Sequence, residues 1–176
     1  MANDLVTIQE MAEATPDVTL TEAELDALVA RVRAFCGWHI APKRTETITI
    51  SSRGAAVIPL PTLRLVNVTA VRCWDGTAMV PLDSWDTRTG WDPMSCTINL
   101  GGSRFPAGAR ALEVDVEHGF DSAPLDLLVA IAALAGPRSI VQESVLGHSV
   151  TFSQAPVVAV AEPISALALF RLPRLP

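Results

Sequence analysis

The fold is decided in the stretch TEAELDALVARVRAFCGWHIAPKRTETITI, residues 21–50, where the apolar spacing changes from that of a helix to that of a strand. Thr21 and Glu24 form a capping box, in which hydroxyl and carboxylate satisfy free amides of a first helical turn. The following apolar residues recur at helical spacing: Leu25, Leu28, Val29, Val32, Phe35 and Cys36. Gly37 is a favoured residue just past a helix end, so the pattern predicts a helix over residues 22–36.

A β unit is predicted after Pro42. The alternating residues of its first strand are Thr45, Glu46, Thr47, Ile48, Thr49 and Ile50. Residues 56–60 are expected to return as the partner of this strand. Asp75-Gly76 is a strong hairpin signal, and alternating runs continue to about residue 118. We therefore expect a small antiparallel unit of roughly five to seven short strands over residues 45–118.

Helical spacing returns after this unit. Residues 125–135 are apolar nearly all round, which predicts a helix buried in a core or at a subunit interface. The residues expected there are Leu127, Leu128, Ile131 and Leu134. Residues 1–19 are expected to form an extended or weakly helical arm. Residues 171–176, which contain two prolines, are expected to form an extended tail. The sequence thus predicts an α+β fold, with one domain over residues 20–176 and a β insertion between its two main helices.

The composition excludes several classes of protein. The chain has 176 residues, of which 49% are hydrophobic and 18% charged, so it can bury a core and is not disordered. Its formal net charge of −6 disfavours binding to nucleic acid through phosphate neutralisation. The longest apolar run, residues 127–135, is far short of the roughly 20 residues that span a bilayer. The first residues show no export signal, so the three cysteines are expected to be reduced and buried.

The search for chemistry finds little. Cys36 and His39 have a plausible spacing for zinc, but no second pair of ligands follows, and we predict no metal, no cofactor and no catalytic residue. No nucleophile motif is present. One alternative remains in the loop 83–92, where carboxylates beside aromatic rings could bind or hydrolyse a carbohydrate. The residues of that loop are Asp83, Trp85, Asp86, Trp91 and Asp92.

Four segments in order resemble one family. They are AFCGWHIAP (34–42), followed directly by a threonine-rich strand, VEHGFDSAPLD (116–126), GHSVTF (147–152) and FRLP (170–173). Each is similar to a segment of the head-to-tail adaptor proteins of tailed phages that infect actinobacteria, and together they cover about residues 20–173. The chain departs from that pattern where Phe120, Phe152 and Phe170 replace a common tyrosine.

The resemblance implies a structural virion protein and not an enzyme. Such adaptors form a ring below the portal, usually of twelve copies. The ring extends the channel for double-stranded DNA without sequence-specific binding. It also provides the docking surface for the tail or a stopper. The implied location is the head–tail neck of the virion, after assembly in the host cytoplasm. By this resemblance the tail would contact the portal, through Phe170, Arg171, Leu172, Pro173 and Leu175. Glu22, Glu24 and Asp26 would be candidates to line the channel, against the alternative of a solvated first turn that favours the helix dipole. Another connector or tail-completion ring is the first alternative.

Overall fold

Helices and antiparallel strands alternate along the chain, giving a mixed α/β fold in this computed structural model. The structure describes residues 5–82, 85–86, 90–136, 143–145, 148–150 and 167–172. The chain divides into two units, which are described separately below. Unit 1 comprises Met1–Cys36 and Pro124–Arg171, and unit 2 comprises Gly37–Ala123 and Leu172–Pro176. The helices in the described residues include none long and apolar enough to cross a bilayer.

Unit 1 is built on three helices: α1 (Ile8–Ala14), α2 (Glu22–Cys36) and α3 (Leu125–Ala135). Helix α2 has the predicted bounds, and Thr21 donates its backbone N–H and its hydroxyl to the Glu24 carboxylate at 2.9 and 2.6 Å. Helix α3 packs against both α1 and α2. Two short strands, β8 (Glu143–Val145) and β9 (His148–Val150), pair antiparallel, and a 3-10 helix spans Ala168–Phe170.

The N-terminal segment, expected to be an extended or weakly helical arm, contains a short helix. Thr7 and Glu10 form a second capping box, in which the Thr7 N–H donates to the Glu10 carboxylate at 2.7 Å. Helix α1 follows this box, and Leu5, Val6 and Met11 are buried. The described part of residues 1–19 is therefore held by apolar packing, although the seven-residue helix is too short to be stable alone.

Unit 2 contains seven strands in its described residues: β1 (Arg44–Ser52), β2 (Val57–Pro59), β3 (Leu65–Trp74), β4 (Met79–Pro81), β5 (Trp91–Asp92), β6 (Thr97–Asn99) and β7 (Gly108–His118). One sheet has the order β1-β7-β3-β4 and the other the order β2-β6-β5, with all pairings antiparallel. The core is lined by Ile58, Leu60, Leu65, Val68, Val71, Cys96, Ile98, Leu100, Phe105, Leu112, Val114 and Val116.

The predicted partner of the first strand is wrong. Residues 57–59 pair with β6, whereas β1 pairs with β7 over almost its whole length. Strand β7 offers eleven residues and places Val114 opposite Ile48, while β2 is three residues long and ends at a proline that lacks an N–H. The predicted hairpin at Asp75-Gly76 is confirmed, since Trp74 pairs with Met79 across it.

Candidate assembly surfaces

Two of the segments that carry the family resemblance lie side by side in unit 2. We call residues 38–43 and 117–121 the stem. The Phe120 N–H donates to the Ile40 carbonyl at 2.8 Å, and the rings of Trp38 and Phe120 lie 6.3 Å apart. A Cβ on Gly119 would lie only 3.1 Å from the Ile40 carbonyl oxygen, so the two segments need glycine at this position. The stem is thus a closely packed joint between distant parts of the sequence.

A buried histidine lies at the centre of the stem. His118 is 1% exposed, its Nδ1 lies 3.2 Å from the Thr62 hydroxyl, and its Nε2 lies 2.8 Å from a Glu46 carboxylate oxygen. A neutral ring that accepts from Thr62 and donates to Glu46 satisfies both contacts. Burial lowers the pKa of His118, and the neighbouring Glu46 charge only partly opposes this effect. His118 therefore serves as a neutral structural group.

The described residues contain no cluster of three or more side chains that could hold a metal ion. His39 is buried, its ring packs edge-on against His118 with centroids 5.8 Å apart, and its Nε2 contacts the Pro42 carbonyl. Burial raises the pKa of the Cys36 thiol to about 11, so the thiol is protonated at neutral pH. Both residues of the candidate zinc pair, Cys36 and His39, are thus buried in the packed protein.

The outer face of the four-stranded sheet is polar and its charges are paired. The Arg72 guanidinium binds Asp115 through two hydrogen bonds of 2.6 and 2.7 Å, and its Nε lies 3.3 Å from Glu113. Thr47 also donates to Asp115, at 2.7 Å. The Arg72 hydrogen bonds hold the pKa of Asp115 below its usual range. This face is therefore a charged, hydrated surface.

An apolar groove opens on unit 2. It is lined by residues 59–63, residues 94–96 and Leu172, and it encloses about 170 Å³. Met94 lies at its rim and is 93% exposed. A Cβ on Gly37 would lie 3.9 Å from a Leu172 methyl carbon, so the tail also approaches the glycine that ends α2. We refer to this feature as the apolar groove.

The candidate tail residues have different environments. In unit 1, Phe170 is buried, and the Arg171 guanidinium lies 4.9 Å from the centroid of the Phe35 ring. In unit 2, Leu172 is half-buried and lines the apolar groove. Pro173 and Leu175 lie outside the described residues.

The candidate residues of α3 mostly face the interior of the subunit. Leu127, Leu128 and Ile131 are buried, and Leu134 is half-buried beside a cavity of about 230 Å³ that Leu20 and Leu28 also line. The exposed apolar side chains of this helix are instead Leu125 (62%) and Val129 (45%). They are four residues apart and so share one face of the helix.

The candidate carboxylates of α2 are all exposed. Glu24 is engaged by Thr21 in the capping box, so it has a local structural role. Glu22 and Asp26 have no such contact among the bonds described here.

The loop of residues 83–92 lies only partly within the described residues, because Asp83 is outside them. Trp85 and Trp91 pack against the core of unit 2, and the Trp85 ring occupies the space where Gly90 lacks a side chain. Asp92 accepts from the Ser95 hydroxyl at 2.6 Å and from the Met94 N–H at 2.9 Å. These bonds, Ser95 first, lower the pKa of Asp92, which is opposite to what a general acid requires.

Sequence reasoning missed several residues of these surfaces. Thr62 and Glu46 carry no local signal, because they reach His118 only through the β1–β7 pairing and the turn before β3. Met94 was also missed, and its signal was available as an apolar residue in a turn after Pro93. The exposure of Leu125 and Val129 could not be predicted, because α3 is apolar nearly all round and its sequence does not indicate which side faces the solvent.

Comparison with known proteins finds similarity in fold. No family model and no curated protein matches the chain. Solved chains do match, and three of them, from gene transfer agent (GTA) particles, each have a TM-score of 0.57. One comes from the neck of an empty GTA particle computed with C6 symmetry; it is 17% identical, and the match covers 100% of this chain and 97% of that chain. A second, from the neck of a native GTA particle computed with C12 symmetry, is 19% identical with the same coverage. A third, from the virion of a native GTA particle, is 18% identical, with 97% and 91% covered. The chain thus has the fold of these particle proteins.

Proposed function

We propose that this chain is a structural neck protein of a phage-like virion, a head-to-tail adaptor that forms a ring below the portal. The observation that carries this proposal is the fold likeness to chains of GTA necks, which covers 100% of this chain and 97% of each neck chain. Four sequence segments in the order typical of adaptors of actinobacterial phages support it independently. The role is non-enzymatic and needs no cofactor, and it belongs to the virion after assembly in the host cytoplasm.

The ring is proposed to contain twelve copies, since one of the similar neck chains belongs to a particle computed with C12 symmetry. Unit 1 would build the ring wall, with unit 2 as the β insertion that faces outward or toward the next ring. Leu127, Leu128 and Ile131 are buried within the subunit. The residues of α3 that would contact a neighbouring copy are therefore the exposed Leu125 and Val129. A ring needs two different complementary surfaces on each copy, and this exposed face would be one of them.

The acidic balance of the chain suits a channel through which DNA slides. A net charge of −6 repels phosphates and disfavours binding of the passing duplex. Glu22 and Asp26 are the exposed carboxylates of α2 that are candidates for the channel wall, whereas Glu24 is held in the capping box. The C-terminal tail, with Leu172 and Leu175, is proposed to contact the portal.

Another connector or tail-completion ring is a second candidate, because the likeness at 17–19% identity is one of fold. A carbohydrate site in the loop 83–92 is disfavoured, because its two tryptophans pack on the core and Asp92 is bound by Ser95.

Electron microscopy of the protein mixed with the purified portal of its own virion tests the proposal. We expect a second ring of twelve copies stacked below the portal. A chain that ends at Phe170 should keep its fold by circular dichroism but lose portal binding, while Leu169→Ala, a change at a 75% exposed side chain, should bind normally. A portal that stays bare at several salt concentrations, with the protein monomeric, would refute the adaptor role.

A further inference from the structure

The apolar groove and the C-terminal tail have matching chemistry. We propose that the groove is a binding site for a leucine–proline segment in the polyproline II conformation. We further propose that this chain's own residues 171–176 occupy it in the free subunit. The inference concerns the unassembled protein and does not depend on the ring.

The first argument is the space in the groove. Leu172 lines one side of the groove, and about 170 Å³ remains enclosed beside it. An apolar cavity of about 150 Å³ is known to bind benzene, a six-carbon group. The groove therefore has room for one more aliphatic side chain next to Leu172.

The second argument is the repeat in the tail. Residues 171–176 read Arg-Leu-Pro-Arg-Leu-Pro, an exact period of three. Polyproline II has three residues per turn and a rise of about 3.1 Å, so Leu172 and Leu175 would share one face about 9 Å apart. A segment that enters the groove with Leu172 in this conformation brings Leu175 to the same wall.

The third argument is the bonding that prolines permit. Pro173 and Pro176 lack an N–H, so the tail is a poor partner for strand addition to a sheet edge. A segment whose prolines fix its φ angles can instead bind through its side chains, because it loses little conformational entropy on binding. The lining residues Leu60, Leu63 and Met94 supply such a surface.

The start of the tail is already anchored. Phe170 is buried, and the cation of Arg171 lies over the Phe35 ring, both within unit 1. The next residue, Leu172, lines the groove of unit 2. If the same residues bind the portal, they must leave the groove first, so that groove and portal compete for one segment.

NMR of the full-length protein labelled with ¹³C at methionine methyl groups tests the inference. Met94 is the probe, because it lies on the rim and is 93% exposed, and its resonance is assigned with Met94→Leu. Leu175→Ala should shift the Met94 resonance by more than its linewidth. Arg174→Ala is the matched control at the same tether length, and it should leave the resonance in place.

Two results would overturn the inference. If neither variant moves the Met94 resonance, or both move it equally, Leu175 does not occupy the groove. If unlabelled wild-type protein added to labelled Leu175→Ala restores the resonance, the occupant is the tail of a second copy and not the chain's own. Because no portal is present, failure here leaves the adaptor proposal standing, and a bare portal in microscopy leaves this inference standing.

Discussion

Replacing Gly119 by alanine tests how tightly the stem is packed. Gly119 has a φ of +103°, a conformation that costs an L-residue about 1–3 kcal/mol. The new Cβ would lie 3.1 Å from the Ile40 carbonyl oxygen, which accepts from the Phe120 N–H at 2.8 Å. Moving that carbonyl weakens a hydrogen bond worth about 0.5–1.5 kcal/mol. We therefore expect Gly119→Ala to lower the free energy of unfolding by about 1.5–4.5 kcal/mol.

A matched control separates the two contributions. Gly76 has a φ of +109°, and a Cβ there meets none of the described atoms within 4 Å. Gly76→Ala should therefore cost only the backbone conformation. Urea denaturation followed by tryptophan fluorescence measures both variants, and the buried Trp38 of the stem contributes to the signal together with the three other tryptophans. Equal losses for the two variants would refute the close packing inferred for the stem.

Two further predictions concern the cores of the two units. The free energy of unfolding should fall as the pH drops below about 6.5, because the unfolded chain protonates His118 there while burial keeps the pKa of His118 lower in the folded protein. Urea denaturation at several pH values should show a shallower fall for His118→Gln. The same pH dependence in the variant and the wild type would contradict a buried, neutral His118. Ile131→Ala should lower the free energy of unfolding by about 2–5 kcal/mol, because Ile131 is fully buried. Val129→Ala, at a 45% exposed position, should change it by no more than about 0.5 kcal/mol. Similar losses for the two variants would show that Ile131 is not part of the core.

Local signals in the sequence were sufficient for the elements that local interactions form. Helix α2 follows from its capping box and apolar spacing, and the Asp75-Gly76 hairpin from its turn residues. The mixed helix and antiparallel-sheet composition could be predicted for the same reason. For the region of helix α1 the sequence indicates no more than an extended or weakly helical arm, because a seven-residue helix has too few turns for its periodicity to be recognised.

Long-range pairing could not be predicted in this way. The partner of β1 is β7, residues 108–118. The sequence of neither strand identifies the other as its partner, because alternating apolar residues fit several registers. The surroundings of His118 depend on that pairing, which brings Glu46 within 2.8 Å. The exposed pair on α3 likewise depends on which side of an apolar helix meets α1 and α2.

The division of the chain into units also sets the order in which its parts can fold during synthesis. Apart from its last residues, unit 2 is one continuous run, residues 37–123, and it can fold as soon as that run has left the ribosome. Unit 1 joins the two ends of the chain, so α2 waits until α3 has been made. A nascent chain therefore carries a finished β unit but an incomplete helical unit. If the helical unit builds the ring, a chain becomes competent to join it only after α3 has been made.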